Sequence, residues 1–152
     1  MSGDSVMSLN SQLSYGVEKV GRTENYLFGF AGRLSYMRPA YKWVQDLDLS
    51  GTNPEDFYYN RDKLQISSGE DSGNVLLATR DDVIWMVSLD GYAVRVTKKF
   101  DSIGSGGDYA LGAMMNGASA EESVKCSCGI DAYTGGDILN WTFDKPVHCP
   151  NE

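Results

Sequence analysis

Basic residues are in short supply in this chain. Lysine and arginine number 13 against 21 aspartates and glutamates, a net charge of −8. A protein that grips a phosphate backbone needs a basic stripe. Lys98-Lys99 is the one adjacent basic pair, which argues against a nucleic-acid partner. Long apolar runs are missing too. No window approaches the roughly 18 to 20 apolar residues that span a bilayer, and the first twenty residues lack a basic start followed by an apolar run. The expectation is a cytoplasmic protein with no membrane partner. Cysteine is scarce and odd in number, at three, which fits a reducing compartment. Cys126, Cys128, Cys149 and the single His148 could be taken for a metal site. Their Cys-x-Cys and His-Cys spacings are too tight for the usual zinc pattern. Partly buried thiols in or near a helix are the better reading.

What is present suits one folded unit. Of 152 residues, 41% are hydrophobic and 11% aromatic, enough for a real core and too many for wholesale disorder. No repeat or linker divides the chain, so 1–145 is expected to form a single domain, with 146–152 as a tail. "YGVEKVGR" (15–22) and "NYLFGFAG" (25–32) read as a strand pair about a polar turn. The second strand is apolar enough to be covered on both faces. Leu34, Met37, Tyr41, Val44 and Leu47 recur at three- and four-residue steps, predicting a helix over 32–49 with Pro39 as a kink or late start. The stretch 50–74 is a loop with one helical turn at 54–58.

Three strands follow in "VLLATRDDVIWMVSLDGYAVRV", turned at Arg80-Asp81 and at Asp90-Gly91. A helix opens at Ser105 and stops near Gly117. A second is capped by Ser119 with Glu122 three residues on and stops at Gly129. Two short strands around Gly135-Gly136 finish the domain. Antiparallel hairpins with helices in separate blocks indicate an α+β layered fold.

Gly104-Ser105-Gly106-Gly107 taken alone is a helix N-cap with small residues that let the backbone turn. Its functional reading is an anion or oxyanion site, because free N–H groups point outward at a helix start. It lacks the lysine of a phosphate loop and the spacing of a dinucleotide fold. In its wider context, "IGSGGDYALGAM…GASAEES…IDAYTGGDI" resembles the C-terminal half of proteasome β-type and HslV-type subunits, which are N-terminal nucleophile hydrolases. Upstream, "SGDSVMS" is similar to that family's glycine–aspartate turn, "VEKVGR" to its lysine strand, and "FGFAGRLSYM" to its strand-to-helix turn. The matches are collinear from about residue 2 to about residue 144.

The resemblance implies a four-layer αββα sandwich and a set of roles. Asp4 would hold Lys19, and Lys19 would set a fixed positive charge beside the reacting hydroxyl. The Gly32 amide would form the oxyanion hole. Ser105, Asp131 and Thr134 would form the hydrogen-bond support around the terminal amine. No cofactor is required, although carbonyls of Cys128, Asp131 and Thr134 resemble a loop that holds a monovalent cation such as Na+. Relatives of this kind stack into rings, so a homo-oligomer acting on peptides, fed by an ATP-dependent unfoldase, is implied. The short 47–74 region is similar to that of compact, viral members.

The chemistry of this family needs a threonine, serine or cysteine at the N-terminus, whose own α-amine, titrating near neutrality, serves as base. In the family that residue begins a strand about a dozen residues ahead of the glycine–aspartate turn. Gly3-Asp4 stands at the start of this sequence, so the nucleophile strand is expected to be absent and the sandwich short of its first strand unless an upstream segment restores it. Ser2 is two residues from Asp4, too close to take the nucleophile's place. Two functions follow: a threonine-type peptidase subunit completed by upstream residues, or a non-catalytic homologue serving assembly or protein interaction.

Overall fold

The computed structural model of the chain describes residues 1–4, 7–9, 12–14, 16–51, 53–56, 73–89 and 92–144. In chain order its elements are β1 (Ser2–Gly3), β2 (Met7–Leu9), β3 (Gln12–Ser14), β4 (Val20–Arg22), β5 (Tyr26–Gly32), α1 (Leu34–Ser50), a 3-10 turn at Pro54–Asp56, β6 (Gly73–Thr79), β7 (Ile84–Ser88), β8 (Tyr92–Val96), α2 (Gly107–Met115), α3 (Ala120–Cys128) and β9 (Leu139–Asn140).

Strands β4 to β8 form one antiparallel sheet in sequence order. Its register sorts the side chains. Phe28 pairs with Leu77 and Leu77 with Trp85, while Phe30 pairs with Val75 and Val75 with Val87. Because strand side chains alternate, these six residues share one face. They form the core with Tyr41, Trp43, Val44 and Leu47 of α1. Tyr41 meets the Phe28 ring edge-on at 4.9 Å and the Phe30 ring at 6.4 Å, the arrangement that aromatic quadrupoles favour. Each such side chain contributes about 1.5–3 kcal/mol on burial. Helix α1 runs through Pro39 and ends at Gly51. That glycine's φ of 64° and its N–H bond to the Leu47 carbonyl close the helix in the left-handed conformation.

The other face of the sheet carries smaller residues: Val20 and Leu27, with Gly29 and Ala31 between β4 and β6, and Leu76 and Ala78 beyond. Opposite it lie β1 and β9, a two-stranded antiparallel pair, and the packed helices α2 and α3, with β1 against α3. The order is therefore helix, five-stranded sheet, narrow second sheet, helix pair. The fold is a mixed α/β sandwich whose second inner layer is thin. Gly3 lets β1 lie close on the sheet, since a Cβ there would come 2.6 Å from Val20 Cγ1.

Several expectations need correction. The strand predicted over 15–22 begins only at Val20. The glycine–aspartate segment is not simply a turn: Ser2 and Gly3 form a strand paired with Asn140 and Leu139. The hairpin of β2 and β3 was not anticipated. No strand forms over 130–134, because the N–H groups of Ile130 and Asp131 both return to the Ser127 carbonyl at 3.0 and 2.8 Å, which folds the chain back instead of extending it. Asp90-Gly91, Cys149, His148 and the tail at 146–152 lie outside the described residues, as does most of the 50–74 loop.

Candidate active site

Lys19 is placed by its backbone before its side chain. Its carbonyl accepts the Phe30 N–H at 2.8 Å, and the preceding Glu18 carbonyl accepts the Tyr41 hydroxyl at 2.6 Å. Burial, aided by the Glu18 carboxylate, pushes the Tyr41 hydroxyl well above the ordinary range for a phenol. It stays protonated and keeps donating at any working pH. So β5 and α1 together fix the segment from which the Lys19 side chain leaves.

Its ammonium reaches Asp4 Oδ1 at 2.8 Å, with both side chains mostly buried (14% and 12% exposed). The other carboxylate oxygen, Oδ2, accepts the Gly135 N–H at 3.0 Å. Each carboxylate oxygen of Asp4 therefore has a donor, the ammonium on one and a backbone amide on the other.

A second polar cluster adjoins the first. The hydroxyls of Ser105 and Thr134 donate to the same oxygen of Asp131, at 2.6 and 2.5 Å. These bonds, Ser105 first, hold the Asp131 carboxyl below the usual carboxylate range. This settles what Ser105 does. It is not the helix cap: α2 starts at Gly107, its cap residue is Gly106, and no side chain caps it. The serine turns instead across to the loop after α3. By contrast Ser119 caps α3 with the full reciprocal bond to Glu122.

Small residues bring the turn, the helix and the loop this close. Gly106 has no room for a side chain, since a Cβ would lie 2.5 Å from Thr134 Oγ1 and 3.0 Å from Ser127 Cβ. Ser127, 2% exposed, donates to the Gly106 carbonyl at 2.9 Å. Gly104, with φ 97°, permits the turn. The adjacent residues Thr134 and Gly135 then link the clusters, one bonding Asp131 and the other Asp4.

Both clusters border a cavity of about 300 Å³ between the sheet and the helix pair. Asp4, Lys19, Ser105 and Thr134 are among its polar lining. Leu27, Gly29, Ala31, Leu76 and Ala78 line it from the sheet, and Ala110, Met114 and Val124 from the helices.

Gly32 stands apart from this lining. It is exposed at the end of β5, one residue past Ala31, and pairs with Gly73. Nor do Cys128 and Asp131 line the cavity. Cys128 ends α3 with a thiol whose pKa burial raises, and the Asp4 carboxylate raises it further, so it is a poor nucleophile. For a monovalent cation, the Asp131 carbonyl already accepts the Thr134 N–H at 3.2 Å. A carbonyl keeps a second lone pair, so that bond alone does not bar the Asp131 carbonyl from such an ion.

The Ser2 hydroxyl, two residues before Asp4, is committed elsewhere. Ser2 donates to the Asn140 side chain, and Asn140 in turn donates to Glu121. The Met1 amine donates to the Trp141 carbonyl at 2.7 Å. Asn140, Trp141 and the Gly135 amide were not singled out from sequence. Each acts through backbone position or strand register, and no spacing in the chain marks that.

No protein-family model matches the sequence, and no curated protein sequence matches it. Solved structures do. The BPH protein of Thiobacillus denitrificans, in complex with epoxomicin, superposes with a TM-score of 0.68 at 17% identity, over 91% of this chain and 88% of that one. The eukaryotic HslV of Trypanosoma brucei gives 0.66 at 15% identity, over 91% and 90%. The fold is that of proteasome-like and HslV proteins, the N-terminal nucleophile hydrolase fold.

Proposed function

We propose that this chain is the scaffold of a proteasome- or HslV-like threonine-type peptidase subunit. In this reading the Lys19–Asp4 pair is the charged end of a site whose nucleophile arrives on an extended N-terminal segment. The observation that carries it is the place of that pair: mostly buried, yet bordering a cavity beside β1, a two-residue strand paired on one side with β9. A buried ammonium held by one carboxylate is a costly arrangement for mere stability. It is a sound one for steadying a hydroxyl as it loses its proton.

The reaction would run as follows. The terminal hydroxyl oxygen bonds to the substrate's amide carbon while its proton passes to the neighbouring α-amine. The C–N bond then breaks, the leaving amine takes that proton, and water cleaves the acyl ester. Lys19 holds positive charge next to the oxygen throughout. Ser105, Asp131 and Thr134 fix the loop that orients Asp4, and the Gly32 amide would receive the oxyanion. A cation on the Cys128, Asp131 and Thr134 carbonyls would brace that loop and take no part in proton transfer. Peptide substrates, a homo-oligomeric assembly and an unfoldase partner belong to the same reading.

One observation favours the second reading, a non-catalytic subunit that uses the fold for assembly. The Ser2 hydroxyl, two residues from Asp4, donates to the Asn140 side chain instead of toward Lys19. The discriminating experiment is intact mass and N-terminal sequencing of the protein from its native source, followed by incubation with epoxomicin. A chain that begins with Thr, Ser or Cys about a dozen residues upstream, and gains the mass of the inhibitor, supports the peptidase. A chain that starts at Met1 or Ser2 and forms no adduct overturns it and leaves the assembly role.

A further inference from the structure

Two guanidiniums approach the ring of Phe143, with Arg22 Cζ 5.8 Å and Arg80 Cζ 4.7 Å from its centroid. Arg22 is 6% exposed, and a guanidinium so far from water gains most from an aromatic face. Both arginines are tied to the turn between β4 and β5. Arg22 Nε donates to the Thr23 carbonyl at 3.2 Å, and Arg80 Nε to the Glu24 carbonyl at 3.0 Å. That turn is itself braced on α1, where Asp48 accepts the N–H groups of Glu24 and Asn25 at 3.2 and 3.1 Å. The clamp thus stands on a fixed base.

What it holds is the segment that carries β9. Strands of two residues do not hold each other in water, and β1 and β9 are both that short. Two residues before Phe143, Trp141 exchanges backbone bonds with Met1, at 2.7 and 2.8 Å. Asn140 and Leu139 then pair with Ser2 and Gly3, which brings the chain to Asp4. We propose that Phe143 is a positioning residue: clamped by Arg22 and Arg80, it latches β9 to the sheet edge and so keeps Asp4 against Lys19. The catalytic meaning of Asp4 rests on the hydrolase reading above; the latch does not.

Amide hydrogen exchange on the full chain tests it without any assay of hydrolysis, so failure of one idea is distinguishable from failure of the other. In Phe143→Ala, the Trp141 and Gly135 amides, bonded to Met1 and Asp4 respectively, should exchange roughly tenfold faster, the scale of two lost cation–π contacts. The amides of Leu77 and Val87 should keep their rates. Phe143→Tyr should restore protection and Phe143→Leu should not. Arg80→Met, on an exposed turn, should give the same local pattern more weakly, and it serves if Phe143→Ala does not fold. The latch is overturned if Trp141 and Gly135 keep wild-type rates, or if Leu77 accelerates in step with them. Full rescue by leucine would overturn the guanidinium clamp.

Discussion

On the α1 face of the five-stranded sheet, Phe28, Phe30, Val75, Leu77 and Val87 are at most 3% exposed and share one core with Tyr41, Val44 and Leu47. On the opposite face, Gly29, Ala31 and Ala78 border a cavity of about 300 Å³ whose lining includes Lys19 and Asp4. The same strands supply both faces, residue by residue in alternation. One face therefore carries the stability of the domain, and the other is free to hold polar groups and open space. The largest effect should come from the first. Leu77→Ala removes a fully buried side chain from the middle of the sheet and should cost about 3 kcal/mol in urea denaturation. A loss below about 1 kcal/mol would mean that the α1 face is not the stabilising one.

The next test moves across the sheet. Lys19→Met keeps the side-chain volume but takes the ammonium from Asp4 Oδ1, while the Gly135 amide stays on Oδ2. For a pair this far from water the cost should be about 2 kcal/mol. On the hydrolase reading, peptide cleavage should vanish while the fold persists. A variant as stable as the parent would show that the pair is solvated. Gly106→Ala should follow, at about 1–2 kcal/mol, because its methyl meets the Thr134 hydroxyl and Ser127. Its damage should be local, loosening the loop that carries Thr134 and Gly135 while leaving the α1 face untouched.

The two faces also differ in how far sequence reveals them. The α1 face is written in the sequence: apolar steps of three and four over 34–47 give the helix, and the apolar run of 25–32 gives the strand it packs on. The cavity face has no such signature. Glycine and alanine at 29, 31 and 78 look like weak strand residues until the register shows them lining one space. Asp4, Lys19, Ser105, Asp131 and Thr134 could be named only through resemblance, since four elements far apart in sequence bring them together. The residue-by-residue reading misplaced structure in one respect: it expected a strand just ahead of Gly135-Gly136, where the Ser127 carbonyl captures two successive N–H groups and makes a turn. Ser105 shows the opposite failure, because local capping rules assign it to α2 and only the tertiary fold reveals its bond to Asp131.

The smallest expected effect concerns that bond. Ser105→Ala removes an exposed hydroxyl donor to Asp131 and should cost about 0.5 kcal/mol at neutral pH. Its pH dependence is more informative than its size. The Asp131 carboxyl is held below its ordinary value of 3.8, with the Ser105 bond as the largest cause. A group whose pKa is depressed on folding contributes stability that is complete above the unfolded value and is lost as pH falls through the folded one. The difference in melting temperature between parent and Ser105→Ala should therefore be steady from pH 7 to about pH 5 and shrink through the range below about pH 4. Lys19→Met should not remove this acid dependence, because the Lys19 charge is the least of the causes acting on Asp131. A difference that grew as the pH fell would mean that Ser105 steadies the turn through some contact other than the Asp131 carboxylate.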